Sequence, residues 1–193
     1  MEKLTGFNKI KTAVFISGTG SNLKSLIKFS KLKKSPISID LIISNNLKAK
    51  GLNFGKVFNI KKKVFSFEIK SLAEKRITLE LKKNEINLIC LAGFMKILST
   101  SFINSFKGEI LNIHPSLLPK FKGLNTHQRV INNKEKYSGC TVHFVSSRLD
   151  MGKIILQKKV KISKNETPKT LAKKILMQEH KLYPKAILKI FNL

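Results

Sequence analysis

The segment Leu111-Asn-Ile-His-Pro-Ser-Leu-Leu-Pro119 sets an amide and an imidazole two residues apart at the end of an apolar run. Positions two apart on a strand point to one side, so Asn112 and His114 share a face. Pro115 lacks an N–H and cannot extend a sheet ladder, which predicts that the strand stops at His114. A hydrogen-bond donor and a general acid–base then sit together at a strand's C-terminal end, where open α/β sheets bind ligands. Taken in isolation, the segment is better explained by a turn histidine and an asparagine capping a strand; the rest of the chain changes that balance. Asp150, one of only two aspartates, lies in the turn Ser147-Arg-Leu-Asp-Met-Gly152. It serves either as a turn former or as a carboxylate held near His114 to orient the imidazole and raise its pKa.

Two further stretches have the composition of binding sites. Gly18-Thr-Gly-Ser-Asn22 follows a short apolar strand and precedes a helical pattern. Such a turn is either a plain strand-to-helix connection or an anion site, in which helix N-terminal N–H groups meet a phosphate. Leu at position 23 breaks the dinucleotide pattern, and the Walker pattern is missing, so a monophosphate is the functional alternative. Gly93-Phe-Met-Lys-Ile-Leu98 is an apolar loop that suits either a core plug or a flat aromatic ligand. His143 faces one side of a strand, as a core imidazole or as a wall of the site.

The elements that must position these residues alternate. Apolar strands are expected at Thr12–Ser17, Ser38–Ser44, Lys63–Phe67 and Asn87–Ala92. Helices are expected at Leu23–Lys33, within Leu47–Phe58 ending near Gly55, and at Ser71–Asn84 with Ala73, Ile77 and Leu81 inward. This order predicts a Rossmann-like half with right-handed crossovers. A short helix from Ser99 to Phe106, the strand Glu109–His114, a helix over Thr126–Asn132 and strands at Ser138–Ser146 and Ile154–Ile162 follow. Thr167-Pro168 opens a last helix with Ala172, Ile175, Leu176, Leu182 and Tyr183 as its inner stripe and a kink at Pro184. Glu179 falls on that stripe, where a carboxylate pairs with a lysine or faces a ligand.

The chain has 193 residues, a size for one domain, 1–193, with a sizeable core. No apolar run reaches membrane length, and Met1 to Lys9 shows no signal-peptide apolar region. Cys90 and Cys140 lie in apolar runs and read as buried thiols, with no metal-ligand cluster. These features place the protein in the cytoplasm. The net charge is +27, which invites a nucleic-acid reading. However, only Arg76, Arg129 and Arg148 of the 38 basic residues are arginine, and the lysines are scattered. Together with many Ile, Asn and Phe, this favours codon drift in an AT-rich genome; the field would still attract anionic substrates.

Taken together, the chain closely resembles the folate-dependent phosphoribosylglycinamide formyltransferase family. The landmarks occur in order: Ile16-Ser-Gly-Thr-Gly-Ser-Asn22, Leu91-Ala-Gly-Phe-Met-Lys-Ile-Leu98, Leu111 to Pro119, Gly123-Leu-Asn-Thr-His127, Val142-His-Phe-Val145, Leu149-Asp150 and Gln178-Glu-His180. The resemblance implies an α/β formyltransferase fold, a mostly parallel central sheet flanked by helices with an antiparallel addition in the C-terminal half. It implies formyl transfer from 10-formyltetrahydrofolate to 5'-phosphoribosylglycinamide in purine biosynthesis. Asn112, His114 and Asp150 would be catalytic. Gly20, Ser21, Asn22 and Glu179 would bind the ribonucleotide. Lys70, Met95, Lys96, Ile97, Leu98, Asn112, Ser146, Ser147, Arg148, Leu149 and Asp150 would bind the folate. The partners implied are small-molecule substrates, with no metal, no obligate nucleic acid and no membrane, acting as a monomer or homodimer. This chain departs from the family at Lys96, Asn125 and Gln128, and Met151-Gly152-Lys153 replaces the usual Gly-Gly-Pro.

Three rivals make different predictions. Formyltetrahydrofolate deformylases share the trio but use water as acceptor, and they carry an N-terminal domain for which no room is expected here. Methionyl-tRNA formyltransferases carry a C-terminal domain, also not expected here. A non-enzymatic nucleic-acid binder predicts clustered basic residues interleaved with aromatics, unlike the scattered lysines.

Overall fold

The computed structural model describes residues 9–193; the N-terminal stretch read as lacking a signal region lies, but for Lys9, outside the described residues. One seven-stranded sheet organises the chain. Its strands are β1 (Ile10–Ile16), β2 (Ile37–Ser44), β3 (Lys61–Val64), β4 (Leu88–Leu91), β5 (Glu109–His114), β6 (Tyr137–Phe144) and β7 (Ile154–Lys161). They lie in the order β3-β2-β1-β4-β5-β6-β7. The first five run parallel, and β6 and β7 are antiparallel additions, as the resemblance implies.

Both faces of the sheet are covered, which explains why the central strands are apolar without alternation. Val14 and Ile16 of β1 face a core closed by α1 (Ser21–Ser30) and α6 (Pro168–Ile190). Ala13 and Phe15 face the opposite core, closed by α3 (Lys70–Lys83) and α4 (Thr100–Ser105). A short α2 (Asn53–Phe58) and α5 (Thr126–Asn132) complete the helices. Tyr183, fully buried on α6, places its hydroxyl 3.2 Å from Leu91 O and 3.1 Å from Leu111 O. It thereby ties the last helix to the ends of β4 and β5, the strands that carry the site.

Three local expectations need correction. The third strand is Lys61–Val64 and not Lys63–Phe67, because Phe65 and Phe67 pack on the α3 core after the strand has ended. Gly55 lies inside α2, which ends at Phe58 with Asn59 in the left-handed conformation. The buried stripe of α6 uses Leu171, Ala186 and Ile187 in place of Ala172 and Leu176. α6 itself continues as one helix through Pro184. Proline cannot donate to His180 O, and the Ser25 hydroxyl on α1 donates to that carbonyl instead, at 2.8 Å.

Candidate active site

β5 delivers Asn112 and His114 to the C-terminal edge of the sheet, and the ladder ends where Pro115 begins. His114 is buried, and its Nε2 lies 2.8 Å from Phe121 O. A carbonyl only accepts, so Nε2 carries a hydrogen. Nδ1 therefore faces Asp150 Oδ2, 3.4 Å away. Burial pushes the imidazole below its ordinary pKa, against the pull of Phe121 O and Asp150. Burial also pushes the Asp150 carboxyl up, but the Gly123 N–H and the neighbouring His114 help hold the group below the usual carboxylate range. The Gly123 N–H donates to Asp150 Oδ2 at 2.8 Å.

Antiparallel pairing sets His143 of β6 directly across from Asn112. His143 Nδ1 donates to Phe144 O at 2.8 Å, which leaves Nε2 to accept from Asn112 Nδ2 at 3.2 Å. His143 Nε2 is also 3.7 Å from Asp150 Oδ1. His143 is thus a buried, fully partnered imidazole that also lines the cleft wall. Asp150 itself adopts φ 51°, and Gly152 lies so close to Phe144 O that a Cβ there would sit 1.7 Å from it. The Met151-Gly152-Lys153 variant of the loop keeps the one glycine that this approach demands.

These residues line a cleft of about 570 Å³. Its walls include Met95, Lys96, Ile97 and Leu98 from the loop after β4 and Ser146, Ser147, Arg148, Leu149 and Asp150 from the loop after β6. Met95, Ile97, Leu124 and Leu149 are large apolar side chains left exposed at this one mouth. Such a rim over a few convergent polar groups fits a flat, partly aromatic ligand. Ser17 braces the β4 loop: its N–H donates to Gly93 O at 3.1 Å, and its Oγ accepts from Met95 N–H at 2.7 Å. Lys70 lies elsewhere. It lines a separate, more open groove of about 800 Å³ between α3 and α4, with Glu74, Ser99 and Phe102. That groove is larger but contains none of Asn112, His114 and Asp150.

A second polar cluster forms where β1 runs into α1. Gly20 has φ 72°, and a Cβ there would meet Gly51 Cα at 2.7 Å, so only glycine fits the turn. Nothing lies within 4 Å of a Cβ at Gly18, which leaves that side of the turn open. Asn22 Nδ2 donates to Glu179 Oε2 at 2.7 Å, joining two residues 157 apart in sequence. Burial pushes the Glu179 carboxyl up, and Asn22 pulls it back only in part. Asn22 Oδ1 is buried without a partner. Glu179 therefore pairs with an amide and not with a lysine, and an unused acceptor points to a donor group yet to arrive.

Spacing did not reveal His127, whose buried Nδ1 has no partner and which lines the same cleft. The main-chain groups of Phe121 and Gly123 were also missed, since any residue type carries them. Among the described residues, no group of three or more His, Cys, Asp or Glu is placed to hold a metal, and no helix is long and apolar enough to cross a membrane.

The formyl transferase family matches residues 10–187. The chain belongs to that family. It is 41% identical to the phosphoribosylglycinamide formyltransferase of Haemophilus influenzae, over 92% of this chain and 85% of the relative. The crystal structure of phosphoribosylglycinamide formyltransferase from Brucella melitensis superposes with a TM-score of 0.89 at 41% identity, covering 95% of this chain and 96% of that one. The human trifunctional purine biosynthetic protein adenosine-3 is 42% identical over 93% of this chain, which spans only 18% of that protein's length. The formyl transferase fold and the resemblance read from the motifs are thus both borne out.

Proposed function

We propose that this formyl transferase moves the formyl group of 10-formyltetrahydrofolate to the amine of 5'-phosphoribosylglycinamide, giving the N-formyl product and tetrahydrofolate in purine biosynthesis. The observation that carries this reading is the joining of Asn112, His114 and Asp150 in one apolar-rimmed cleft. The glycine turn at Gly18–Asn22 leaves β1, two strands away in the same sheet.

The reduced folate supplies an activated formyl carbon and a nitrogen leaving group. Asn112 keeps one amide N–H on His143 and donates the other to the formyl oxygen as negative charge develops there. His114, with Nε2–H fixed on Phe121 O, uses Nδ1. It accepts the amine proton as the new C–N bond forms, and returns it to the folate nitrogen as the old C–N bond breaks. Asp150 stabilises the imidazolium in between. Met95 to Leu98 and Ser146 to Leu149 wall the folate, and Lys70, although it lines the separate groove between α3 and α4, is assigned to its outer, anionic end.

The main-chain N–H groups of Gly20, Ser21 and Asn22 hold the phosphate at the start of α1, and Glu179 accepts hydrogen bonds from ribose hydroxyls. We also take 1–193 as one formyltransferase domain, supported by two cores sharing one sheet. We place it in the cytoplasm, where free buried thiols such as Cys90 and Cys140 stay reduced, working as a monomer or homodimer on small molecules with no obligate nucleic acid.

The test follows formyl release from 10-formyltetrahydrofolate optically, with and without the ribonucleotide. Release only with the ribonucleotide supports the transferase. Release without it would make the protein a deformylase, and no release by a folded protein would overturn the formyl-transfer reading.

A further inference from the structure

The backbone between Pro119 and α5 is conformationally demanding. Phe121, Gly123 and Asn125 take φ values of 55°, 76° and 55°. Glycine and asparagine tolerate this region, but the Phe121 side chain resists it, and such backbone persists only where its surroundings over-determine it. The same segment supplies both main-chain groups that orient the acid–base pair. Phe121 O accepts from His114 Nε2, and the Gly123 N–H donates to Asp150 Oδ2, each at 2.8 Å.

Arg129, one turn into α5, reaches back over this segment. Its Nη1 lies 2.6 Å from Lys122 O and 3.4 Å from Leu124 O, the carbonyls on either side of Gly123. Its guanidinium carbon lies 5.6 Å from the centre of the Phe121 ring. Buried Thr126 and Val130 seat the helix from which it extends.

We propose that Arg129 is a positioning residue whose guanidinium clips the 121–124 backbone and thereby fixes the tautomer of His114 and the orientation of Asp150. It touches none of the reacting groups itself. Both carbonyl contacts come from the one nitrogen Nη1, while the planar guanidinium also lies over the Phe121 ring, a stacking that a lysine ammonium matches only in part. The consequence for rate rests on the formyl-transfer reading above; the consequence for the imidazole does not.

The test compares wild type with Arg129→Ala and Arg129→Lys by nitrogen NMR of the His114 ring in the unliganded protein, and by steady-state kinetics. Wild type should show the Nε2–H tautomer of His114. Arg129→Ala should show mixed tautomers and lose about tenfold in kcat with ribonucleotide KM changed by less than about threefold, below the hundredfold scale of a full ångström of misplacement. Arg129→Lys should fall between. An unchanged His114 spectrum in Arg129→Ala would overturn the proposal, whatever happens to kcat. If wild type transfers no formyl group, the functional reading falls, while the NMR comparison still decides what Arg129 does.

Discussion

Asn112 and His143 stand opposite each other across the antiparallel β5–β6 pair, and the Asn112 amide donates to His143 Nε2 at 3.2 Å. Because His143 Nδ1 is committed to Phe144 O, Nε2 has only a lone pair to offer. The amide cannot flip without placing its oxygen against that lone pair. His143 thus decides which way the Asn112 amide is turned.

The first prediction follows from that orientation. His143→Ala should lower kcat by about tenfold, less than the 10²–10³ scale for deleting an oxyanion donor outright, since the amide survives but turns freely. His143→Gln, which keeps an acceptor within reach, should recover part of the loss. Steady-state kinetics at saturating substrates decide it; an unchanged kcat in His143→Ala would remove His143 from any part in orienting Asn112.

A second prediction concerns Glu179. Its folded-state pKa is raised by burial, so the native protein holds this proton to higher pH than the unfolded chain does. The stability contributed by this group is fully present below the ordinary value of 4.5 and is lost as pH rises through the raised native value. Glu179→Gln keeps an acceptor for Asn22 Nδ2 and never ionises. It should melt about 2–4 °C higher than wild type at pH 7, the shift that about 1 kcal/mol gives in a chain of this size. The advantage should shrink on acidification and vanish below pH 4.5. The same variant should raise the ribonucleotide KM by about tenfold, through loss of charge-assisted hydrogen bonds to hydroxyls. A variant that melts no higher at pH 7 would mean that burying this carboxylate carries no cost in the native state.

Most of the frame was legible because periodicity and punctuation agree in this chain. Pro115 ends β5 at His114, Ser99 caps α4 by accepting from Phe102 N–H, and Pro168 opens α6 behind a Thr167 cap. The third strand was misplaced because β3 is an edge strand of exposed and half-exposed lysines paired only to β2, while the apolar Phe65 and Phe67 lie beyond it. Residue types and motif order single out Asn112, His114 and Asp150, and the structure brings the three to one cleft. What sequence does not carry is the pairing that makes them a site. The register that sets His143 against Asn112, the Phe121 carbonyl and Gly123 N–H, and the Asn22–Glu179 bond over 157 residues all depend on tertiary approach.

The last prediction tests how α6 runs through Pro184 to bring Glu179 to Asn22. Proline at 184 leaves His180 O without its helical donor, and Ser25 Oγ fills that role from α1 at 2.8 Å. In the wild-type background, Ser25→Ala therefore strands a partly buried carbonyl and should cost about 1–2 kcal/mol, in the lower part of the about 1–3 kcal/mol range for an acceptor left unsatisfied. In a Pro184→Ala background the residue 184 N–H can bond His180 O itself, so the same Ser25→Ala change should cost less than about 0.5 kcal/mol. Urea unfolding of the four proteins closes the cycle. Equal costs in both backgrounds would show that Ser25 acts by packing alone and that the carbonyl freed by Pro184 has no bearing on how α1 and α6 are held together.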